Sequence, residues 1–247
     1  MPTADAEQVT RVGLAANRSF YDEIWSGSYV VPPERFNTWP LLSALASEAS
    51  ARLEIGPGLR PRLPIAGTSF ADVSQPALLQ LKARGGHTTL ADVAALPYPD
   101  DTFDLICAFD IIEHVESGEQ VFRELGRVAR DDATLVFSVP LHAARWTPFD
   151  TLVGHVRRYE PDELLATLAE HAFEIAQSAG FGMAPRSRWL LAFAVWGLTH
   201  HREHAMRWYN RMFLPIGLRL QKHLAWTPGL IDVAGVDELL LVCGRGG

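Results

Sequence analysis

Cysteine is almost missing from this chain of 247 residues: only Cys107 and Cys243 occur, each inside an apolar run. Nothing in that spacing suggests a disulfide framework or a zinc site, and both thiols are expected to be reduced and buried on strands. Long apolar runs are missing too. The longest, Trp189 to Leu198, falls short of the roughly 20 residues a helix needs to cross a bilayer. There is no excess of positive charge either; the formal balance of −7 argues against a nucleic-acid partner. The N-terminus is polar and lacks the apolar core of a signal peptide, so a cytoplasmic location is expected. Internal repeats and low-complexity segments are absent as well.

What is present is an ordinary apolar share of 48%, enough for one large α/β domain. The chain is organised around Arg52 to Pro61, Arg-Leu-Glu-Ile-Gly-Pro-Gly-Leu-Arg-Pro. Ala51 to Ile55 reads as a short buried strand, broken abruptly by Gly56-Pro57-Gly58. Glycines at such a break let backbone approach a ligand that a side chain would push away. Further strands are expected at Ser69 to Val73, Thr88 to Ala91, Phe103 to Ala108, Thr134 to Val139, Phe173 to Gln177 and Glu238 to Cys243. Between them lie helix signals. Ser74 with Pro76 opens one helix, Ser117-Gly118-Glu119-Gln120 resembles a capping box, and Pro161 starts another. Ahead of the glycine turn, residues 5–25 and Thr38 to Ala49 read as helices of an N-terminal arm over 1–50. Such alternation implies a doubly wound, mainly parallel sheet of seven strands covered by helices.

Three acidic residues then fall at the carboxyl ends of successive strands: Glu54, Asp72 and Asp92. In a doubly wound sheet those ends line the ligand crevice. The motifs Leu-Glu-Ile-Gly-Pro-Gly (53–58), Phe-Ala-Asp-Val-Ser (70–74), Ala91 to Asp104, Asp110 to Val115 and Ser-Val-Pro (138–140) follow in order. Over roughly residues 50–180, with the last strand rejoining near 237–245, the chain resembles the class I S-adenosylmethionine-dependent methyltransferases. The resemblance implies S-adenosylmethionine as cofactor. Gly56 and Gly58 would meet its methionine part, with Glu54 ordering the ammonium group. Asp72, followed by Val73, would accept from both ribose hydroxyls; Asp92 and the Val93 backbone would read the adenine; Phe109 joins these contacts. The departure is at Arg60, where the family usually has a third glycine, followed by a helix. Only Leu59 to Thr68 separates the turn from the second strand, and Pro61 and Pro64 leave a helix little room, so an extended variant of the loop is expected.

Acceptor chemistry is expected between Pro140 and Tyr159. His155 is the first choice for a base that takes a hydroxyl proton, and His142 the second. Trp146, Arg157, Arg158 and Tyr159 are candidates for acceptor binding, with the two arginines and Tyr159 equally able to pin the loop. Tyr21, in the N-terminal arm, is a candidate from a lid. Asp110, Glu113 and His114 have a spacing similar to a divalent-metal cluster of ubiquinone-pathway O-methyltransferases, but no metal is expected. Between Pro185 and Trp226, seven basic residues stand against Glu203 alone, interleaved with aromatics. This stretch is expected to form a helical cap over 186–232, inserted before the last strand. It would pack on the domain, wall a bulky apolar acceptor, or touch a membrane surface. The expected activity is O-methylation of a small or lipid-like acceptor. A non-catalytic binding module with a degenerate cofactor loop is the alternative. A nicotinamide-dependent oxidoreductase is disfavoured, because Pro61 holds the position of the third glycine of Gly-x-Gly-x-x-Gly.

Overall fold

Residues 18–25, 28–182 and 188–246 are described by the structure, a computed structural model. The expected helix over 5–25 is seen from 18 to 25 (α1); its earlier part, with Val9, Val12 and Leu14, lies outside the described residues, as does Arg186. The chain then runs through α2 (Trp39–Glu48), β1 (Arg52–Ile55), β2 (Thr68–Asp72), α3 (Gln75–Lys82), β3 (His87–Leu90) and β4 (Phe103–Phe109). It continues with α4 (Gly118–Val128), β5 (Ala129–Pro140), α5 (Pro148–Val153), α6 (Pro161–Glu170) and β6 (Phe173–Gly180). Helices α7 (Arg188–His200), α8 (Arg202–Trp208) and α9 (Leu214–Leu220) precede β7 (Thr227–Pro228) and β8 (Glu238–Arg245).

The strands form one sheet in the order β3-β2-β1-β4-β5-β8-β6-β7. The count is eight rather than the expected seven, because the two-residue β7 adds an edge against β6. Strands β1 to β5 pair in parallel, and β8 slots antiparallel between β5 and β6. The apolar run of β4 has no alternation because both its faces are covered. Leu105 and Cys107 pack with Leu42 and Ala46 of α2, whereas Ile106 and Ala108 face the cluster holding Val121, Phe122, Leu125 and Val128 of α4. All four of those α4 side chains are fully buried; each such burial is worth roughly 1.5–3 kcal/mol. Both cysteines are buried and unpaired.

Cap chemistry is only partly as expected. The Ser117 side chain accepts from the Gln120 amide at 3.2 Å, but the Gln120 side chain reaches Ala94 O instead of closing the box. Ser74 stands at the N-cap of α3, yet its hydroxyl donates to Asp22 Oδ1 of α1 at 2.7 Å. That bond ties the arm to the second strand tip.

No helix forms between β1 and β2, as the prolines require. The parallel pairing instead brings the carboxyl ends of β1, β2 and β4 to one edge. Among the described residues, no helix is long and apolar enough to cross a membrane.

Candidate active site

Two buried carboxylates shape the loop after β1. Glu54 accepts from the amides of Arg62 (2.8 and 3.1 Å) and Leu63 (2.9 Å). Burial lifts its pKa to about 7 against the pull of those amides. Asp72 accepts from the Gly58 amide at 2.8 Å and the Ser74 amide at 2.7 Å; burial lifts its pKa to about 6, again opposed by the amides. Gly56 and Gly58 both hold positive φ, at 62° and 51°. A Cβ on Gly58 would meet the Trp25 indole at 2.3 Å, and one on Gly56 would meet Ile111 at 2.0 Å. The cradle therefore exists because neither residue has a side chain. Asp92 accepts from the Ala94 amide at 3.0 Å, beside the buried Val93. Glu54 thus serves its own loop as Asp72 does, each carboxylate accepting from two backbone amides.

Helix α1 closes over this edge. Trp25 lies on the glycine turn, and Arg60 sits between the Trp25 ring (5.2 Å) and the Tyr209 ring (4.9 Å). Tyr21 reaches His114 Nε2 at 3.4 Å and Val153 O at 3.5 Å. Burial, reinforced by Glu113, Asp110 and Asp72, raises the Tyr21 phenol well above its ordinary pKa.

A second cluster is built by the turn after β4 and the loop after β5. His155 Nδ1 lies 2.9 Å from Asp150 Oδ1, and its Nε2 lies 3.6 Å from Glu113 Oε1. Arg158 grips both oxygens of Asp150 at 2.9 Å. Burial pushes the Asp150 pKa up, but bonds from Arg158 and Thr147 outweigh it and hold it below the usual carboxylate value. With Asp150 ionised, the His155 proton belongs on Nδ1, which leaves Nε2 as the acceptor. Burial lowers the His155 pKa despite Asp150. Burial, then His155, takes His114 down to about 4. Glu113 is 1% exposed with neither carboxyl oxygen hydrogen-bonded, and burial, then Asp110, raises its pKa well above the ordinary value.

The other expected residues are not brought into this cluster. His142 Nε2 contacts Val233 O at 2.9 Å, and its Nδ1 looks towards Glu160. Arg157 bonds Glu116 O and lies over the Tyr159 ring. Tyr159 is 1% exposed and packs in the core, because Leu141 and Tyr159 extend the parallel pairing beyond β5. Arg158 pins the loop through Asp150. Trp146 Nε1 donates to Thr151 Oγ1 at 2.9 Å, leaving its ring at the surface. Phe109, at the tip of β4, is buried beside Phe181. Glu113, His114 and His155 offer ligand atoms within 4.8 Å of one another, while Asp110 is outside that set. Both His114 nitrogens already have protein partners, Tyr21 and Gly154 O. Sequence reasoning left Asp150 without a role, although Thr147 and Asp150 form a capping box that the spacing displays.

Residues 65–137 match the family model described as a methyltransferase domain. Over those residues the chain is similar to that family. A Mycobacterium tuberculosis protein described as a probable S-adenosylmethionine-dependent methyltransferase is 29% identical over 123 residues. That match takes in 47% of this chain and 44% of the relative, so less than half of the relative's length is spanned. The chain also shares its fold with solved structures. A Thermotoga maritima methyltransferase, described as a possible histamine N-methyltransferase, aligns with a TM-score of 0.55 at 13% identity, covering 86% of this chain and 91% of that one. A Brevibacillus brevis O-methyltransferase in complex with S-adenosylhomocysteine aligns at 0.53 and 15% identity, covering 81% and 68%. The residues at this edge fit that cofactor class. Asp72 sits at the second strand tip, Gly56 and Gly58 leave room beside it where the Trp25 ring rests, and the buried Glu113 carboxyl has no hydrogen bond.

Proposed function

We propose that this chain transfers a methyl group from S-adenosylmethionine to an oxygen of a small or lipid-like acceptor. When bound, the cofactor supplies an electrophilic methyl group on a sulfonium. Asp72 binds the ribose hydroxyls, since the two oxygens of a carboxylate match a vicinal diol. Gly56 and Gly58 let backbone approach the methionine end; Asp92 and Val93 hold the adenine. Tyr21 and Trp25 of α1 exclude water over the glycine turn. His155 takes the acceptor proton at Nε2, with Asp150 fixing the ring through Nδ1. Holding the two partners in line carries much of the rate, because displacement at a sulfonium needs alignment above all.

The observation that carries this reading is the Asp150–His155 contact of 2.9 Å at the same sheet edge as the Asp72 tip. The lipid-like end of the acceptor range is supported by α7, where Trp189 is 87% and Phe193 66% exposed. Incubation with methyl-labelled S-adenosylmethionine and a panel of small hydroxyl acceptors tests the reading: label should appear on oxygen. Transfer confined to nitrogen acceptors would remove the role given to His155. A non-catalytic module is favoured by one feature, the Trp25 ring resting on Gly58; that reading expects no labelled product from any acceptor.

A further inference from the structure

The cap before the last strand is apolar on two sides. Helix α8, a π-helical turn (Tyr209–Phe213) and α9 run on without a break, since the residues at both junctions keep helical dihedrals. The inner side is occupied: Leu214 is buried with Val31 and Phe36, and Asn210 donates to the Ser28 hydroxyl at 2.8 Å. The outer side carries Trp208, Met212, Ile216 and Leu220, four residues apart, with exposures from 44% at Met212 to 74% at Leu220. A spacing of four overshoots the α-helical turn and would spiral away along a plain helix. The wider π turn offsets that drift and keeps the row in line.

An arginine stands just before three members of this row: Arg207, Arg211 and Arg219, all exposed. Arg207 has Glu203 at 4.0 Å, a solvent-exposed contact that holds it weakly. Arg211 and Arg219 make no ion pair among the described residues. The chain as a whole carries −7, so this basic row is not a by-product of a basic composition. Apolar and basic rows side by side suit a helix that lies on a membrane, with hydrocarbon under one row and headgroup phosphates beside the other. The neighbouring helix adds to it. Helix α7 meets α8 where Gly197 faces Ala205, and it exposes Trp189, Phe193 and Trp196 at helical spacing. Tryptophan, with an apolar ring and one N–H donor, is suited to the headgroup level. A second copy of the chain fits the face less well, because a two-fold contact would bring the same arginines together.

We propose that the outer face of α8 and α9, with α7 beside it, docks on an anionic lipid bilayer. The inner side of the same stretch holds Arg60 of the glycine-turn loop through Tyr209 and Asn210, so the strand tips stand one helix layer from that face. Docking does not depend on the methyl-transfer reading, and no cofactor enters its test.

The test is co-sedimentation of the full chain with vesicles of phosphatidylcholine alone, or of phosphatidylcholine and phosphatidylserine in equal parts. Wild type should bind the mixed vesicles about 100-fold more tightly, the scale for three cations near an anionic surface, and added salt should weaken that binding. Arg211→Gln with Arg219→Gln should bind mixed vesicles about 30-fold more weakly and neutral ones unchanged. Ile216→Ser with Leu220→Ser should lose about tenfold or more on both kinds. Lys82→Gln with Arg84→Gln, an exposed basic pair near the end of α3, should alter neither. Wild type that ignores mixed vesicles, or an arginine variant that binds them as wild type does, overturns the proposal. So does a wild-type dimer in solution that Leu220→Ser dissolves while vesicles go unbound, which gives the face to a second copy. Should the serine variant not fold, the arginine pair and the comparison of the two vesicles decide.

Discussion

The loops after β1 and after β5 both bury charge, and they use it in opposite ways. After β1, Glu54 and Asp72 are held by backbone amides: Arg62, Leu63, Gly58 and Ser74. After β5, Asp150 is held by the side chains of Arg158, His155 and Thr147 as well as by the Thr147 amide. Amides survive most substitutions in a loop, whereas a side-chain network loses its logic with one member. The first loop is thereby a shape, suited to holding a cofactor; the second is a chemical device, suited to moving a proton. Binding and turnover should be separable by mutation.

Breaking the second network should give the largest effect. Asp150→Ala leaves Arg158 and His155 buried without their counter-charge and should destabilise the fold by about 3–5 kcal/mol, read as a fall in denaturation midpoint. A loss under ~1 kcal/mol would mean the network is not held together as described. His155→Ala comes next. It should lower turnover about 100-fold or more while cofactor affinity stays put; normal turnover would remove it as the base.

On the other side, Asp72→Ala should weaken S-adenosylhomocysteine binding by about 1–3 kcal/mol, the range for an unpaired hydrogen-bond partner. The smallest effect is a pH dependence. Asp72 titrates near about 6, and only its ionised form accepts from a diol, so affinity should fall as the solution is acidified through that value. Stability through the same group moves the other way. Its folded pKa is raised above the unfolded carboxylate value, so its contribution is full at low pH and is lost as pH rises through about 6. Titrating both quantities in wild type and Asp72→Ala sharpens the contrast: the variant should lose both slopes.

Much of this fold was legible because buried strands and capped helices are local statements. Pro61 and Pro64 announced the helix-free loop, and the apolar spacing of α4 announced its buried face. What was not legible depends on long-range contact. The Ser74 hydroxyl looked like a cap until Asp22, 52 residues away, took it. His142 read as the second choice of base after His155, but it sits at φ 62° with its ring turned to Val233. Tyr159 read equally as an acceptor contact or a pin for the loop, and it is a core residue, because the pairing with Leu141 pulls it inward. Glu54 read as a cofactor contact, and only the folded loop shows that it also accepts from the Arg62 and Leu63 amides. The two-residue β7 has no pattern that could reveal it.

The account stands on an adenosine-bearing ligand binding at the tips of β1, β2 and β4. Calorimetric titration of the wild-type chain with S-adenosylhomocysteine near neutral pH tests this most directly. Saturable heat for one site per chain is the result expected; no heat at millimolar ligand would contradict it.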